Sequence, residues 1–446
     1  MRERAARGLD QGLLIGLACV VGFAAPGFAQ QTTGAGAAGG AVSPDSAAVL
    51  RAALDRPRAK PPADAIDVVQ FPFKVALFPV TFAFRSGFAL AGLLSVSDHA
   101  PLPVRAVRRI RRSGFKPHVH TIGPRSSAAL DFTIDRYAPL FIQSGVSVRG
   151  SQRHRIGVFM GDSARATSFL AAIRFRRDAE DDFFGFGSDS RRADRSDFER
   201  DVFDAVIRGS ERVGPVFGRI GIAVETNRVA RGRNGSVPDL QDRFRDSLPF
   251  GVAERTKFFR FNVSAGLDLT KGTFFQMRGV RFGGGAELFR GLDGTDSNFH
   301  RFTSEFVGYL PVSSSQTLAV RGLMEANDLD RGPSIPLFHQ VRFGGSGSGP
   351  RGFSGGRFRD NAGIAVMAEW RYEIWRDIKA HNRGEAFLLL DEGVVGPSFS
   401  SLGGANLHGA WGFGLRVANR GGSAVMSYVA FGGEGTQFEV RTQWPF

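Results

Sequence analysis

The carboxy-terminal segment of the chain, 436–446, alternates strictly between apolar and polar side chains. One face of an extended strand would carry Phe438, Val440, Thr442, Trp444 and Phe446, and the other Gln437, Glu439, Arg441 and Gln443. A strand with one apolar and one polar face separates lipid from a polar lumen in a transmembrane β-barrel. A terminal aromatic residue is typical of the assembly signal of outer-membrane barrels. We assign that signal to Phe438, Val440, Trp444 and Phe446.

The amino end has the form of a secretory signal peptide. Basic residues within 2–7 precede an apolar stretch, 13–25, and small residues follow it before Gln30. This stretch is shorter than the roughly 20 residues of a membrane-spanning helix. We therefore predict a signal peptide over 1–29, cleaved after Ala29. Lipidation at Cys19 is the alternative, although Gly16 stands where a lipoprotein signal has a large aliphatic residue. Cleavage removes the one cysteine, which leaves no thiol or disulfide chemistry.

Two segments separate the signal peptide from the rest of the chain. Residues 30–65 are rich in Ala, Gly, Ser and Thr and are predicted to form a flexible linker. Residues 66–115 are apolar, interrupted by Pro72 and Pro79, and end in a basic run, 105–112. This pattern predicts a helical, amphipathic periplasmic segment, with a plug inside the lumen as the alternative. The basic run would face phospholipid headgroups or solvent.

Residues 116–446 show the period-two pattern of short strands separated by turn-rich, charged segments. Fifteen strands are recognisable, and 118–123 is a candidate for another. Because bacterial single-chain barrels have an even strand number, we predict an all-β, antiparallel transmembrane barrel of about 16 strands. The charged segments 176–198 and 227–254 are predicted to be extracellular loops, and 274–282 a strand.

The formal net charge of +14 comes mostly from arginines that are scattered through the chain. A nucleic-acid-binding protein would concentrate such charge in one stripe, whereas arginines facing a lumen or anionic headgroups would be scattered. Together with export, this excludes nucleic acid and predicts the outer membrane of a Gram-negative bacterium. The expected partners are outer-membrane lipids, including lipopolysaccharide, and the periplasmic chaperones and assembly machinery that insert barrels.

A glycine-rich segment precedes the last five predicted strands and reads VRFGGSGSGPRGF over 341–353. It resembles the BamA/TamA superfamily, also called the bacterial surface antigen family. In this family the sixth extracellular loop folds back into the lumen with an Arg-Gly-aromatic tip, and five strands follow it. Arg351, Gly352 and Phe353 match that tip. The run from Phe184 to Ser190 also resembles an aromatic and glycine run found in many members.

The resemblance implies partners for Arg351. Glu369 and Asp391 stand where the family has inward carboxylates on the next two strands. A guanidinium in a partly dehydrated lumen requires such partners, because burying it unpaired is costly. Pro350 replaces the family's aliphatic residue before the Arg, and Leu389 replaces an aromatic that would stack on it. The amino-terminal part shows no strand pairs of periplasmic POTRA modules, so the chain resembles the POTRA-less branch.

No constellation in the sequence indicates catalysis, a metal or a cofactor. His118 and His120 share one strand face but have no further ligand beside them in the sequence. Asp181, Asp182, Asp189 and Asp194 could bind calcium at the surface, although a solvated charged loop is the better account of them. Ser346 lies among glycines, but a lumen loop is not the strand-to-helix turn that a catalytic serine needs. We therefore expect no enzyme.

The family resemblance implies a role in inserting or translocating proteins or lipid at the outer membrane. Its mechanism would be a weakly paired seam between the first and last strands, through which a client strand or lipid headgroup enters laterally. The clients are not specified by the sequence. The alternative is a passive channel or structural outer-membrane protein without assembly activity.

Overall fold

The computed structural model describes residues 115–122, 127–134, 139–161, 166–233, 235–272, 277–345, 347–377, 382–404, 406–419 and 424–441. The predicted signal peptide, linker and amphipathic segment lie outside these residues, except that Phe115 is the first residue of a strand. Trp444 and Phe446 of the predicted assembly signal also lie outside them. Over the described ranges, no helix has the length and apolar character needed to cross a membrane.

Sixteen strands form one antiparallel sheet in which neighbours along the chain are neighbours in space. The strands, in chain order and including the short β12 and β13 that pair separately, are β1 (Phe115–Ile122), β2 (Ser127–Ile134), β3 (Leu140–Ser147), β4 (Gln152–Met160), β5 (Ser168–Phe183), β6 (Ser196–Val213), β7 (Val216–Arg231), β8 (Thr256–Asp268), β9 (Gly279–Leu292), β10 (Asn298–Pro311), β11 (Gln316–Arg331), β12 (Val341–Phe343), β13 (Phe358–Asp360), β14 (Ala362–Asp377), β15 (Asn382–Gly396), β16 (His408–Asn419), β17 (Ala424–Gly432) and β18 (Gly435–Arg441). The predicted all-β barrel architecture with sixteen strands is confirmed.

The alternation of side chains explains why these segments form a barrel wall. On β6 and β7, the large apolar residues Ile207 and Ile220 are 47% and 54% exposed on the outer face. The intervening positions, such as Asp204 and Glu225, are buried on the lumen side. An apolar outer face needs a lipid environment, and the continuous antiparallel ladders satisfy backbone hydrogen-bonding groups that lipid cannot.

Two predicted loops are shorter than the sequence indicated, because β5, β6 and β7 continue through charged residues. The predicted loop 176–198 contracts to 184–195, and 227–254 becomes 232–255. The prediction was wrong because charges in these strands are paired across the sheet instead of hydrated. Arg177 Nε lies 2.7 Å from Asp201 on the neighbouring strand. Period-two alternation of charged and small residues is a strand signal that total charge obscures.

The eighth predicted strand, 274–282, was also placed wrongly, since β9 runs from Gly279 to Leu292. Three consecutive glycines, 283–285, lie inside this strand and hide its alternation. They pair with β8 and β10 in continuous register. Strand β1 fills the place of the candidate sixteenth strand.

Three connections at one end of the barrel build the candidate site. The inward loop, 332–361, joins β11 to β14 and contains the β12–β13 hairpin. The aromatic–glycine loop, 184–195, joins β5 to β6 and includes a 3-10 turn, Arg192–Asp194. The terminal turn, Gly433 and Glu434, joins β17 to β18. The remaining short helical elements are Leu240–Arg243, Arg245–Ser247, Leu337–His339 and Phe399–Gly404.

Candidate functional site

The inward loop sits between the eleventh and twelfth strands of the sheet, with five strands after it. It is held by an apolar cluster that joins the β12–β13 hairpin and the loop tip to the walls of β14, β15 and β16. The members are Val341, Phe343, Phe353, Phe358, Ala365, Val395 and Ala410. Burying this surface removes the loop from water and gives it a fixed position against the wall.

Arg351 is fully buried, and its guanidinium contacts both carboxylates that the family resemblance implies. Its Nε and Nη2 donate to the two oxygens of Asp391, each at 2.7 Å, and its Nη1 donates to Glu369 Oε1. Its backbone N also donates to Asp391, at 2.9 Å. Burial alone would lower the pKa of Arg351, but the two carboxylates raise it above its ordinary value. The loop tip is therefore a permanently charged group whose partners lie on β15 and β14.

Two side chains that the sequence did not indicate complete this cluster. Arg371, on the same strand as Glu369, donates from Nε to Glu369 Oε2 at 2.8 Å. The ring of Tyr428 on β17 lies 6.0 Å from the Arg351 guanidinium carbon. Leu389, which stands where the family has an aromatic, packs beside Tyr428 instead. The aromatic face near the guanidinium thus comes from a different strand.

Gly352 brings the loop backbone against the penultimate strand of the sheet. A Cβ at Gly352 would lie 2.7 Å from the backbone N of Gly432 on β17 and 2.7 Å from Ala410 Cβ. A Cβ at Gly432 would in turn lie 2.8 Å from the Gly352 carbonyl oxygen. Only glycine at both positions allows this approach. The Arg-Gly-Phe tip is therefore in direct contact with the hairpin that ends the sheet.

Phe353 fixes the other side of the tip. Its ring lies 5.1 Å from that of Phe358 in an edge-on arrangement. Phe358 stacks on His408 at 3.9 Å between ring centroids. These aromatic contacts tie the tip to the β12–β13 hairpin and to the first residue of β16.

The aromatic–glycine loop lies against the inward loop. Ser188 Oγ donates to the Val395 carbonyl and accepts from the Val395 N–H, each at 2.9 Å. The Gly187 N–H donates to the Arg359 carbonyl at 2.8 Å. The run that resembles an early family motif thus contacts both the inward loop and the strand wall beneath it.

Asp181, at the end of β5, pairs with one arginine from each strand of the β12–β13 hairpin. Arg342 and Arg359 donate to its Oδ1 at 2.8 and 2.9 Å. Burial lowers the pKa of Arg359 to about 10, so it remains charged at neutral pH. Asp182 is paired with Arg195 at 3.0 Å. These carboxylates are occupied by guanidinium groups, which argues against the calcium alternative.

Arg357 connects the inward loop to the terminal turn. Its guanidinium is buried and donates from Nε and Nη2 to Glu434 at distances of 2.6–2.9 Å. It lies 4.7 Å from the ring centroids of both Phe184 and Phe358. Arg192 of the aromatic–glycine loop donates to the Glu434 carbonyl. The turn between the last two strands is therefore held by two loops at once.

The terminal strand has the orientation that the sequence predicts, over its described residues. Phe438 and Val440 are 69% and 48% exposed on the outer face. Gln437, Glu439 and Arg441 lie on the less exposed lumen side. Tyr428 donates to Glu439 across the β17–β18 ladder.

Within the ranges given above, no group of three or more His, Cys, Asp or Glu side chains is arranged to hold a metal ion. The chemistry of the site is that of buried ion pairs and close backbone contacts, which position a loop and need no reacting group. His118 and His120 lie on β1, opposite Asp131 and Ala129 of β2.

No protein-family model and no curated protein match this chain. Among solved structures, BamA from Haemophilus ducreyi lacking POTRA domains 1–3 is 14% identical, with a TM-score of 0.53, and the match covers 78% of this chain and 79% of that one. CdiB from Escherichia coli and CdiB from Acinetobacter baumannii give TM-scores of 0.49 and 0.43 at 12% and 13% identity. Each covers 74% of this chain, which spans 60% and 59% of theirs. Sixteen strands, an inward loop before the last five, and the likeness to BamA together show that this chain has the fold of a BamA-type β-barrel.

Proposed function

We propose that the chain assists the insertion or translocation of proteins at the outer membrane through a seam between β1 and β18. The observation that carries the proposal is the contact of the Arg351-Gly352-Phe353 tip with β17. The tip is anchored by buried charges on β14 and β15, and its Gly352 backbone touches Gly432 at the end of β17. Movement of the inward loop would therefore displace the terminal hairpin, β17–β18, directly.

The order of the strands supports a seam at the ends of the sheet. Over the described residues, β1 pairs with β2 and β18 pairs with β17, which makes β1 and β18 the two end strands. A strand edge that becomes unpaired is a template for another strand, such as one from a client barrel.

The same proposal includes the cellular setting. The chain would be exported by cleavage after Ala29 and inserted with the help of periplasmic chaperones and the assembly machinery. It would then contact phospholipid and lipopolysaccharide through its apolar outer face. The assembly signal would comprise Phe438, Val440, Trp444 and Phe446, of which the first two lie on the outward face of β18.

Reconstitution tests the proposal. The purified protein is placed in lipid vesicles, and the folding of a second, small outer-membrane barrel into those vesicles is followed by its shift on unheated gels. We expect faster folding with the wild-type chain and a loss of this effect in Gly352→Ala. Gly347→Ala is the matched control, because a Cβ at Gly347 meets no atom within 4 Å. Equal folding rates with and without the protein would refute the proposed activity.

A passive channel is the second candidate, and one observation favours it. Arginines on β4 and β5 face the lumen directly opposite one another, which would attract small anions. A channel predicts large, steady conductance in planar bilayers that is indifferent to Gly352→Ala. Low conductance of the wild type that rises in Gly352→Ala favours the insertion role, because it means that the inward loop obstructs the lumen of the wild-type protein.

A further inference from the structure

Strands β4 and β5 place like charges opposite each other on the lumen wall. Arg155 is the register partner of Arg174, and Arg153 is the partner of Arg176. Directly opposed residues in an antiparallel ladder have Cβ atoms about 5 Å apart, and like charges there are destabilising. A barrel wall has no need of this arrangement, so a stabilising anion is the simplest physical reason for it.

Three further arginines extend the positive surface across β6, β7 and β8. Arg208 experiences the charges of Arg219, Arg174, Arg155 and Arg260, and all four repel it. We name Arg155, Arg174, Arg208, Arg219 and Arg260 the arginine cluster. Arg208 lies towards the barrel end opposite the inward loop, because it pairs with Leu170 near the start of β5. Arg260 lies nearer to the inward loop, because its neighbour Glu225 is 2.8 Å from His339.

Carboxylates neutralise only part of the arginine cluster. Asp204 binds Arg174 at 2.5 Å, while Glu225 and Glu287 are each 4.0 Å from Arg260. In the part of the chain that the structure describes, Arg155 and Arg208 have no ion pair with a carboxylate.

Donor groups in the arginine cluster are also left without acceptors. The buried Nε atoms of Arg155 and Arg260 have no hydrogen-bond partner. A buried donor without an acceptor is costly, and each guanidinium offers a planar fork of donors. Arg155 and Arg208 are only partly buried, so a ligand in the lumen can reach them.

We propose that the arginine cluster is a binding site for a phosphate group, either free or in a lipid headgroup. A phosphate presents several acceptor oxygens around one centre, which suits guanidinium forks on adjacent strands of the wall. Bound there, it would accept from the unused donors and separate the opposed Arg155 and Arg174. The site does not depend on the insertion role proposed above, since it requires only an accessible lumen.

The test is calorimetric titration of the full-length mature protein in detergent with inorganic phosphate at low ionic strength. We expect saturable binding that weakens about tenfold or more in the double variant Arg155→Gln, Arg208→Gln, the effect of one lost charge-assisted hydrogen bond. The matched control is Arg149→Gln, Arg212→Gln, which removes the same charge from two exposed arginines. Arg208→Lys keeps the charge without the fork and should bind with intermediate affinity.

Two results would overturn the proposal. One is the absence of saturable phosphate binding by the folded wild-type protein. The other is an equal loss of affinity in the cluster variant and in the control. If phosphate does not bind, binding of polyglutamate would show that the cluster recognises acidic polypeptide instead.

A second arm identifies the source of the phosphate. The protein is loaded with phosphatidic acid in nanodiscs and challenged with excess inorganic phosphate, and the retained lipid is counted by native mass spectrometry. Retention in the wild type but not in the cluster variant supports a headgroup as ligand. Displacement by inorganic phosphate supports a free anion. Equal retention in the wild type and the cluster variant contradicts a headgroup site.

Discussion

The two halves of the lumen wall contain the same residue types but pair them differently. On the carboxy-terminal wall, β9–β18, arginines meet carboxylates: Arg321 binds Glu305 at 2.7 Å, and Arg416 binds Glu385, its register partner. On the amino-terminal wall, β4–β8, Arg174 also meets a carboxylate, Asp204, but Arg155 faces Arg174 and has no ion pair of its own over the described residues. The first arrangement fixes structure, and the second leaves charge available for a ligand. The role of a lumen arginine therefore depends on its cross-strand partner.

The carboxy-terminal wall also contains a pair of opposed like charges, and an arginine neutralises it. Glu373 and Glu385 are register partners on β14 and β15. Arg383 bridges them, at 3.0 Å from Glu373 and 2.9 Å from Glu385. On the amino-terminal wall Asp204 holds Arg174, but among the residues that the structure covers no ion pair joins Arg155 to a carboxylate. This wall also receives the inward loop, which places structural rigidity next to the terminal hairpin.

The largest expected effect is on the carboxy-terminal wall, at Asp391. Asp391→Ala removes both oxygens that hold Nε and Nη2 of Arg351 and leaves a buried charge half-paired. We expect the free energy of unfolding to fall by about 3–5 kcal/mol. Urea unfolding in detergent micelles, followed by tryptophan fluorescence, measures it. The control Asp330→Ala breaks a rim pair with Arg290 whose side chains are 46% and 39% exposed. The rim change should cost less than about 1 kcal/mol.

Gly352→Ala should have the next largest effect. The added methyl group would meet Ala410 Cβ and the Gly432 backbone at 2.7 Å, so the tip or β17 must shift. Overpacking of this kind costs about 1–3 kcal/mol. The temperature at which the barrel loses its fast mobility on unheated gels should fall. Gly347→Ala, in the same loop, should leave that temperature unchanged, and an equal fall in both would contradict the seating of the tip.

Glu434→Gln tests the link between the inward loop and the terminal turn. It removes the charge that pairs with Arg357 but keeps the shape of the side chain. Because the Glu434 side chain is 24% exposed, we expect a loss of only about 1–2 kcal/mol. A double-mutant cycle with Arg357→Gln should give a coupling energy of similar size. A coupling near zero would show that the contact does not hold the turn.

The smallest expected effect has the opposite sign and lies on the amino-terminal wall. Arg208→Gln removes a charge that four neighbouring arginines repel. In phosphate-free buffer the free energy of unfolding should rise by roughly 0.5–1 kcal/mol, the scale of a screened repulsion. Arg416→Gln, on the other wall, should lower it, because Glu385 loses a partner. Destabilisation by both changes would remove the distinction between the walls.

Much of the fold could be predicted from the sequence, because alternation with period two identifies a strand wherever its faces differ. Alternation did not reveal the strand residues within 176–198 or the strand β9, which contains three consecutive glycines. A charged strand whose residues pair across a lumen has the composition of a hydrated loop, and consecutive glycines have no alternating side chains. In both cases the strand is defined by its pairing with the neighbouring strands, and this register depends on the neighbours' sequences as well as its own.

The candidate site was predicted in part. Arg351, Glu369 and Asp391 followed from a motif, and the structure places them in contact. Tyr428 and the Arg357–Glu434 pair were not predicted. Arg357 and Glu434 are 77 positions apart and belong to different loops, so no local spacing signals their contact. The arginines of β4 and β5 recur every second residue in the sequence, which indicates one shared strand face. Only the register shows that the arginines of the two strands are opposite each other.

The central claim is that the seated inward loop holds the terminal hairpin. Hydrogen exchange of the protein in nanodiscs, measured by mass spectrometry, tests it by comparing the wild type with Arg351→Gln. We predict faster exchange of the β17 and β18 amides in the variant, with β5 and β6 unchanged. Faster exchange confined to the inward loop, with β17 and β18 as protected as in the wild type, would contradict the claim.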